Sequence, residues 1–297
     1  MSARQPIDLS ALPLPDAVET LDYEAVLEEM RLALSLLDPG LQPALVFESD
    51  PLIKLLQVGA FRELITRAQV NDSVRSVLLG LATGAMLDQL VALLSVTRQA
   101  VIEADPDAVP PVVAVYEDDA SLRRRAQLSW EGMTVAGTVG AYQFHALSAD
   151  GRVRDVAVTS PQPGTVLVTI LSHEAGGVPS DDLLGVVAAA LDDIRPLCDT
   201  VQVAPPAFVD FAVTAVLHLT GWPGAGVVLD AARDVVTAYV QDDLAVGRIV
   251  RQGALLARLY HPGVEAVTLT APLGDIDPGR TGVARATVID ITAEVLG

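Results

Sequence analysis

Few residues in this 297-residue chain have the type and spacing that chemistry requires. His173-Glu174 invites a zinc-protease reading, in which two histidines four residues apart hold the metal and the glutamate acts as general base. Position 177 is glycine, so the second ligand is missing. His145, His173, His218 and His261 are each isolated, with no cysteine at ligand spacing, and only folding could gather them around a metal. Gly224-Ala225-Gly226 follows a strand-like run and precedes a helical one, as a dinucleotide loop would, but Leu229 occupies the place of the third glycine. Asp275-Ile276-Asp277-Pro278-Gly279 has two acidic residues of a calcium loop but lacks the third and the terminal glutamate, and reads as a turn. Ser160 sits in SPQPG rather than in a nucleophile elbow, and Cys198 has no neighbouring histidine. These residues predict no catalytic group, no cofactor-binding residue and no metal ligand, and the chain is expected not to be an enzyme.

Composition narrows the remaining classes. The chain is 51% hydrophobic but only 4% aromatic, so its core is expected to be aliphatic. Its mean hydropathy is +0.42 while its formal net charge is -19 and its pI about 4.4. A partly apolar surface covered in an assembly reconciles the two, as does a large core. The acidic balance argues against nucleic acid and against anionic membranes, because binding to either rests on Lys and Arg contacts. Lys54 is the only lysine, and Arg123, Arg124 and Arg125 form the only basic run. On an acidic chain that run suits ion-pairing to a partner or to the chain's own acidic helices, or simply a solvated helix face. A single cysteine excludes an intramolecular disulfide framework, suits a reducing cytosol, and is expected to pack as a small hydrophobe. The N-terminus lacks the apolar core of a signal peptide, and no apolar run approaches the ~18 residues of a spanning helix.

The elements that would position these residues fall into a helical front and a strand-rich back. Residues 1–19 carry Pro6, Pro13 and Pro15 and read as an extended arm. Thr20 or Asp22 caps a helix through Leu37, stopped by Asp38-Pro39-Gly40. Ser49-Asp50-Pro51 opens a long helix to about Leu81. Leu52, Leu56, Ala60, Val74, Val77, Leu78 and Leu81 fall on one face of it, and Phe61, Ile65 and Ala68 lie roughly opposite. A helix apolar on two sides is either central in its own three-helix domain or part of a bundle shared with another chain. Gly84 begins a shorter helix ending near Arg98, and residues 99–115, with Pro106, Pro110 and Pro111, read as a crossing connection.

Behind that boundary, Asp118 or Asp119 caps an Arg-rich helix through about Trp130, and Thr138 caps a second through Leu147. Strands are expected over Val153–Thr159, Thr165–Leu171 and Val201–Val203, with a helix from Ser180 to about Asp193. Ala207–Thr220 alternates apolar and polar residues and is the clearest strand. His218 lies on its polar face, as a solvated or interface side chain. Helices over Val227–Tyr239 and Val250–Tyr260 and strands near Val264–Leu269 and Ala284–Ile291 complete the chain. The fold class expected is α+β: an N-terminal helical bundle domain followed by two α+β lobes with small mixed or antiparallel sheets. The divisions are 1–19, 20–98, 99–206 and 207–297.

Five stretches, in order and over nearly the whole length, carry a resemblance: PLPDAVETLDYEAVLEEM, ESDPLIKLLQVGAFRELITRAQVN, LDQLVALLSVTR, SWEGMTVAGTVGAYQFHALSADGRVRDVAVTSP and GVEAVTLTAPLGDI. The chain resembles the baseplate J-like family of contractile-tailed phages, most specifically through AGTVGAYQFHALSADGRVRDVAV. The family pattern often has an aromatic and a small polar residue where this chain has Leu94 and Ser95, a departure that bears on local packing. The resemblance implies a non-enzymatic wedge subunit of a baseplate, located in the virion and assembled in the host cytoplasm. It implies two copies in a heterotrimer, sharing a helical core bundle with a second helical wedge protein and meeting a sheath-proximal wedge protein. Carboxyl-terminal lobes would join neighbouring wedges around the hub, and rearrangement would release sheath contraction. Leu52, Leu56, Phe61, Ile65, Val74 and Leu78 are then the candidate bundle interface, and Gly132, Gly137 and Gly140 the candidate hinges. The purified chain is expected to be oligomeric or poorly behaved. A bacteriocin or other injection device in place of a phage, and a small-molecule-binding protein using the GWPGAG turn, are the alternatives.

Overall fold

The computed structural model describes residues 7–220, 225–242 and 244–296. The front begins with a short turn at Leu9–Ala11 and helix α1 (Tyr23–Leu37), capped by Asp22, whose side chain accepts from the Glu24 and Ala25 amides. Asp38 ends α1 and its side chain accepts the Gly40 amide, opening a tight turn that continues into a four-residue helix, α2 (Gln42–Leu45). Helix α3 (Pro51–Ser76) starts with Asp50 accepting from the Leu52 amide at 2.8 Å and proline at its first position, as expected from the sequence. It stops five residues before the expected Leu81. The carbonyls of Leu79 and Ala82 accept from the Arg123 guanidinium instead of from helical amides.

Helix α4 (Gly84–Ala92) is likewise shorter than the run to Arg98 predicts. Ser95 adopts a left-handed φ of 59° and the Val96 amide returns to the Val91 carbonyl, a helix-ending turn in which glycine is the usual residue. The expected crossing connection is a ribbon. Strand β1 (Ala100–Ile102) pairs antiparallel with β2 (Val115–Tyr116), and Asp105 bridges to Val112 beyond them.

Helix α5 (Asp119–Gly132) turns into α6 (Val139–Ala149), whose cap Thr138 accepts from the Ala141 amide. Strand β3 (Val153–Gln162) runs antiparallel to β4 (Thr165–Ser172); helix α7 (Asp181–Asp192), capped by Ser180, then crosses to β5 (Thr200–Ala204), parallel to β4. Tyr142, Ala146, Val156, Val168, Ile170, Leu183 and Leu191 fill the core between these helices and the sheet.

Strand β6 (Ala207–Thr220) is the centre of a second sheet, in the order β7-β6-β8. Helices α8 (Ala225–Thr237), continued by a π turn at Ala238–Asp242, and α9 (Gln252–Leu259) cover one face. Strand β7 (Val264–Ala271) returns antiparallel to β6, and β8 (Gly282–Leu296) lies parallel to it from Ala207↔Gly282 to Thr220↔Leu296. The alternation read in β6 holds: Phe211, Val213, Ala215, Leu217 and Leu219 are buried against Val236, Leu255 and Leu259. Both sheets therefore place one antiparallel and one parallel neighbour beside a central strand, and the fold is α+β with small mixed sheets.

Chain contacts separate two compact units: Gln5–Thr97 with Asp119–Ala126, and Arg98–Asp118 with the chain from Gln127 onward. The second unit holds both sheets and both of the cores just described.

Candidate functional site

Several of the residues that could have done chemistry have local partners, whereas His261 Nε2 is buried without a hydrogen-bond partner among the described residues. His145 Nε2 lies 3.1 Å from the Gly132 carbonyl, and its ring meets Phe144 edge-on. His218 Nε2 lies 2.9 Å from Thr268 Oγ1, with Glu294 at 3.6 Å from the other ring nitrogen. Asp275 is bound by Arg251 and the Gln252 amide, which hold its carboxyl below the usual range; Arg251 contributes most. Asp277 closes a turn on the Gly279 amide. Ser160 donates to the Gln162 carbonyl within its own hairpin. Among the described residues no three His, Cys, Asp or Glu side chains gather as a metal site, and no helix is long and apolar enough to cross a membrane. Gly221–Gly224, most of the GWPGAG turn, lies outside the described residues; the first strand after α8 and α9 runs antiparallel to β6, unlike a dinucleotide-binding crossover. Cys198 is exposed rather than packed as a small hydrophobe, because it sits in the turn between α7 and β5.

Two arginines of the basic run bind backbone carbonyls. Arg123 donates to the carbonyls of Leu79 and Ala82 at 2.7 and 2.8 Å, and Arg125, itself buried, donates to Thr97 at 2.6 Å. These two arginines satisfy the backbone where α3 and α4 end, a task in which a forked guanidinium replaces missing amides.

What the structure leaves open is apolar. On α3, Ile53, Leu56 and Ala60 face inward, Leu56 and Ala60 packing on Val26 and Leu27 of α1. Leu55, Val58, Phe61 and Ile65 occupy a sector of about 120° on the other side, exposed by 69%, 58%, 56% and 42%. The sequence-predicted interface residues therefore divide: Phe61 and Ile65 lie on the open side, Leu56 packs within its own chain, and Leu52, Val74 and Leu78 are half-buried. Leu55 and Val58 were missed, although their three-residue spacing to Phe61 carries the signal. Leu32, Leu36 and Leu37 of α1 and Val46 and Phe47 after α2 are also exposed.

Gly132, Gly137 and Gly140 are all points of close approach. A β-carbon at Gly132 would enter the Phe144 ring, one at Gly140 would lie 2.8 Å from Glu131, and one at Gly137, at φ 65°, would lie 2.6 Å from Pro196. They let α5 and α6 pass tightly.

Residues 48–105 match the baseplate J-like N-terminal domain, and residues 134–205 the baseplate J-like central domain. Baseplate protein J of Escherichia phage P2 is 44% identical over 277 residues, covering 91% of this chain and 92% of that protein. The chain belongs to the baseplate J-like family. As a baseplate J-like protein it is a structural component of a phage tail, not an enzyme. Among solved structures, the anti-feeding prophage baseplate contains a chain that matches with a TM-score of 0.42 and 17% identity, over 60% of this chain and 46% of that one. The N-terminal family domain takes in all of α3, so the open apolar stripe belongs to a family element and not to an appendage of this baseplate J-like chain.

Proposed function

We propose that the chain is a wedge subunit of the baseplate, two copies of which share a helical bundle with a second helical wedge protein. The observation that carries this reading is the stripe Leu55, Val58, Phe61 and Ile65, which is apolar, exposed and opposite the face α3 already buries. Full burial of such side chains is worth roughly 1.5–3 kcal/mol each, so an uncovered stripe strongly favours a partner helix. In this reading the arm spans 1–19, the bundle domain 20–98, the middle domain 99–206 and the C-terminal domain 207–297. The last of these contacts neighbouring wedges, and a sheath-proximal wedge protein is a further partner. Rearrangement on contraction is accommodated at Gly132, Gly137 and Gly140.

The test is co-expression with the second helical wedge protein of its own baseplate. Wild-type chain co-purifies with that protein at a fixed ratio, and Phe61→Glu with Ile65→Glu abolishes the complex while leaving the chain's own circular dichroism unchanged. Retention of the complex by the double variant refutes the stripe as the bundle interface.

A further inference from the structure

The middle and C-terminal lobes fall within one compact unit, and polar ties among the described residues join them. Asp155 of β3, only 6% exposed, accepts the Val246 amide at 2.8 Å. Its neighbour Arg154 donates to the Gln241 carbonyl at 2.9 Å, at the π turn after α8. From the other side, Arg285 of β8 donates to the Gly176 carbonyl at 3.2 Å. That guanidinium is held in place by Asp210, at 2.8 and 3.1 Å, and lies 4.3 Å from the centre of the Phe208 ring. Between the ties Gly177, at φ 80°, leaves just the room of a missing side chain: a β-carbon there would lie 2.9 Å from Leu171, 3.4 Å from Leu244 and 3.7 Å from Phe208. The covalent link is also stiff, since only Pro205-Pro206 separates β5 from β6 and proline fixes φ at both positions.

We infer that these ties are a latch that locks the two lobes into one rigid arm, so that movement during assembly or contraction does not occur between them. The physical basis is the buried carboxylate. Asp155 loses its water on closure and is compensated there by the Val246 amide, so parting the lobes strips a buried charge of a hydrogen bond before solvent can replace it. Two arginines on different strands, each reaching a carbonyl of the opposite lobe, oppose twisting as well as opening. This goes beyond the proposed wedge role and holds whether or not the α3 stripe is the bundle interface.

The exposed Cys198 in the middle lobe and Leu273→Cys in the C-terminal lobe, where Leu273 is exposed after β7, provide a spin-label pair. Double electron–electron resonance is recorded on full-length chain diluted with unlabelled protein, so that only distances within one chain contribute. The wild-type background gives a single narrow distribution. Arg154→Ala with Arg285→Ala broadens it roughly twofold, as expected when a packed interface becomes a hinge, and Asp155→Leu does so too. Asp155→Asn, which keeps an acceptor for the Val246 amide, stays narrow. A broad wild-type distribution overturns the inference. So does an unchanged width in the double-arginine variant, which decides the matter if Asp155→Leu does not fold.

Discussion

Gly132 and Gly185 separate two meanings that a helical glycine can have. At Gly132 a β-carbon would enter the Phe144 ring, whereas at Gly185, inside α7, it would meet nothing within 4 Å. Gly132→Ala should therefore destabilise the chain by about 1–3 kcal/mol through overpacking, and Gly185→Ala should stabilise it by roughly 0.5–1 kcal/mol by removing backbone entropy. Urea unfolding followed by the fluorescence of Trp130, two residues from Gly132, measures the first, and circular dichroism the second. Equal effects would mean that close approach is not what the glycine at 132 provides. A titrating residue gives a further test. Burial raises the Asp150 carboxyl, but hydrogen bonds from the Arg152 side chain and amide outweigh it and leave a net lowering. Its folded pKa thus lies below the unfolded value of about 3.9. The unfolded chain takes up the proton first as pH falls, so the stabilisation is present above pH ~4 and lost as pH drops through the folded value. Asp150→Asn should be less stable than wild type in urea at pH 7, with the gap closing toward pH 3. A gap that is constant with pH would rule out this origin.

At the scale of elements, much was legible because the signals were local. The Asp22, Thr138 and Ser180 caps each satisfy amides two or three residues on, and β6 shows its alternation without reference to its neighbours. What escaped was long-range. Arg123 and Arg125 look like a basic patch because their carbonyl partners are 28 to 44 residues away in sequence. The 99–118 ribbon looks like a connection because its prolines and Asp105 signal breaks, while the pairing of Ala100 with Tyr116 leaves no local mark. For α3 the two apolar faces were readable, but which one the chain covers for itself depends on where α1 lands. The N-terminal arm shows how such contacts can be tested. Buried Asn71 of α3 donates to the Glu19 carbonyl at 2.8 Å and accepts its amide at 3.0 Å, and a β-carbon at Gly80 would lie 2.9 Å from Leu9. Asn71→Leu removes both hydrogen bonds to the Glu19 backbone, at a cost of about 1–3 kcal/mol. Together with Gly80→Val, it should make residues 7–19 the first site of cleavage in limited proteolysis mapped by mass spectrometry. A wild-type cleavage pattern in both variants would show that neither contact holds the arm.

For the whole molecule, charge and hydropathy act in opposition. A formal charge of -19 keeps copies apart, while Leu32, Leu36, Leu37, Val46 and Phe47, with the stripe on α3, draw apolar surfaces together. The repulsion is long-range and weakens as the screening length falls from ~10 Å at 0.1 M salt to ~3 Å at 1 M. Apolar attraction acts at contact and is not weakened by that screening. Isolated chain should therefore associate more as salt rises, and more again as pH falls toward the pI of about 4.4. Light scattering coupled to gel filtration would read this as mass increasing with salt. Phe61→Glu with Ile65→Glu adds repulsion and removes apolar contact at the same place, so the variant should stay at lower mass across the salt range with its Tm unchanged, both side chains being exposed in the folded chain. If association rested on ion pairs between copies, salt would dissociate the protein instead. A falling mass with salt, or a double variant that associates like wild type, would therefore place the contact on charged surfaces and not on the open side of α3.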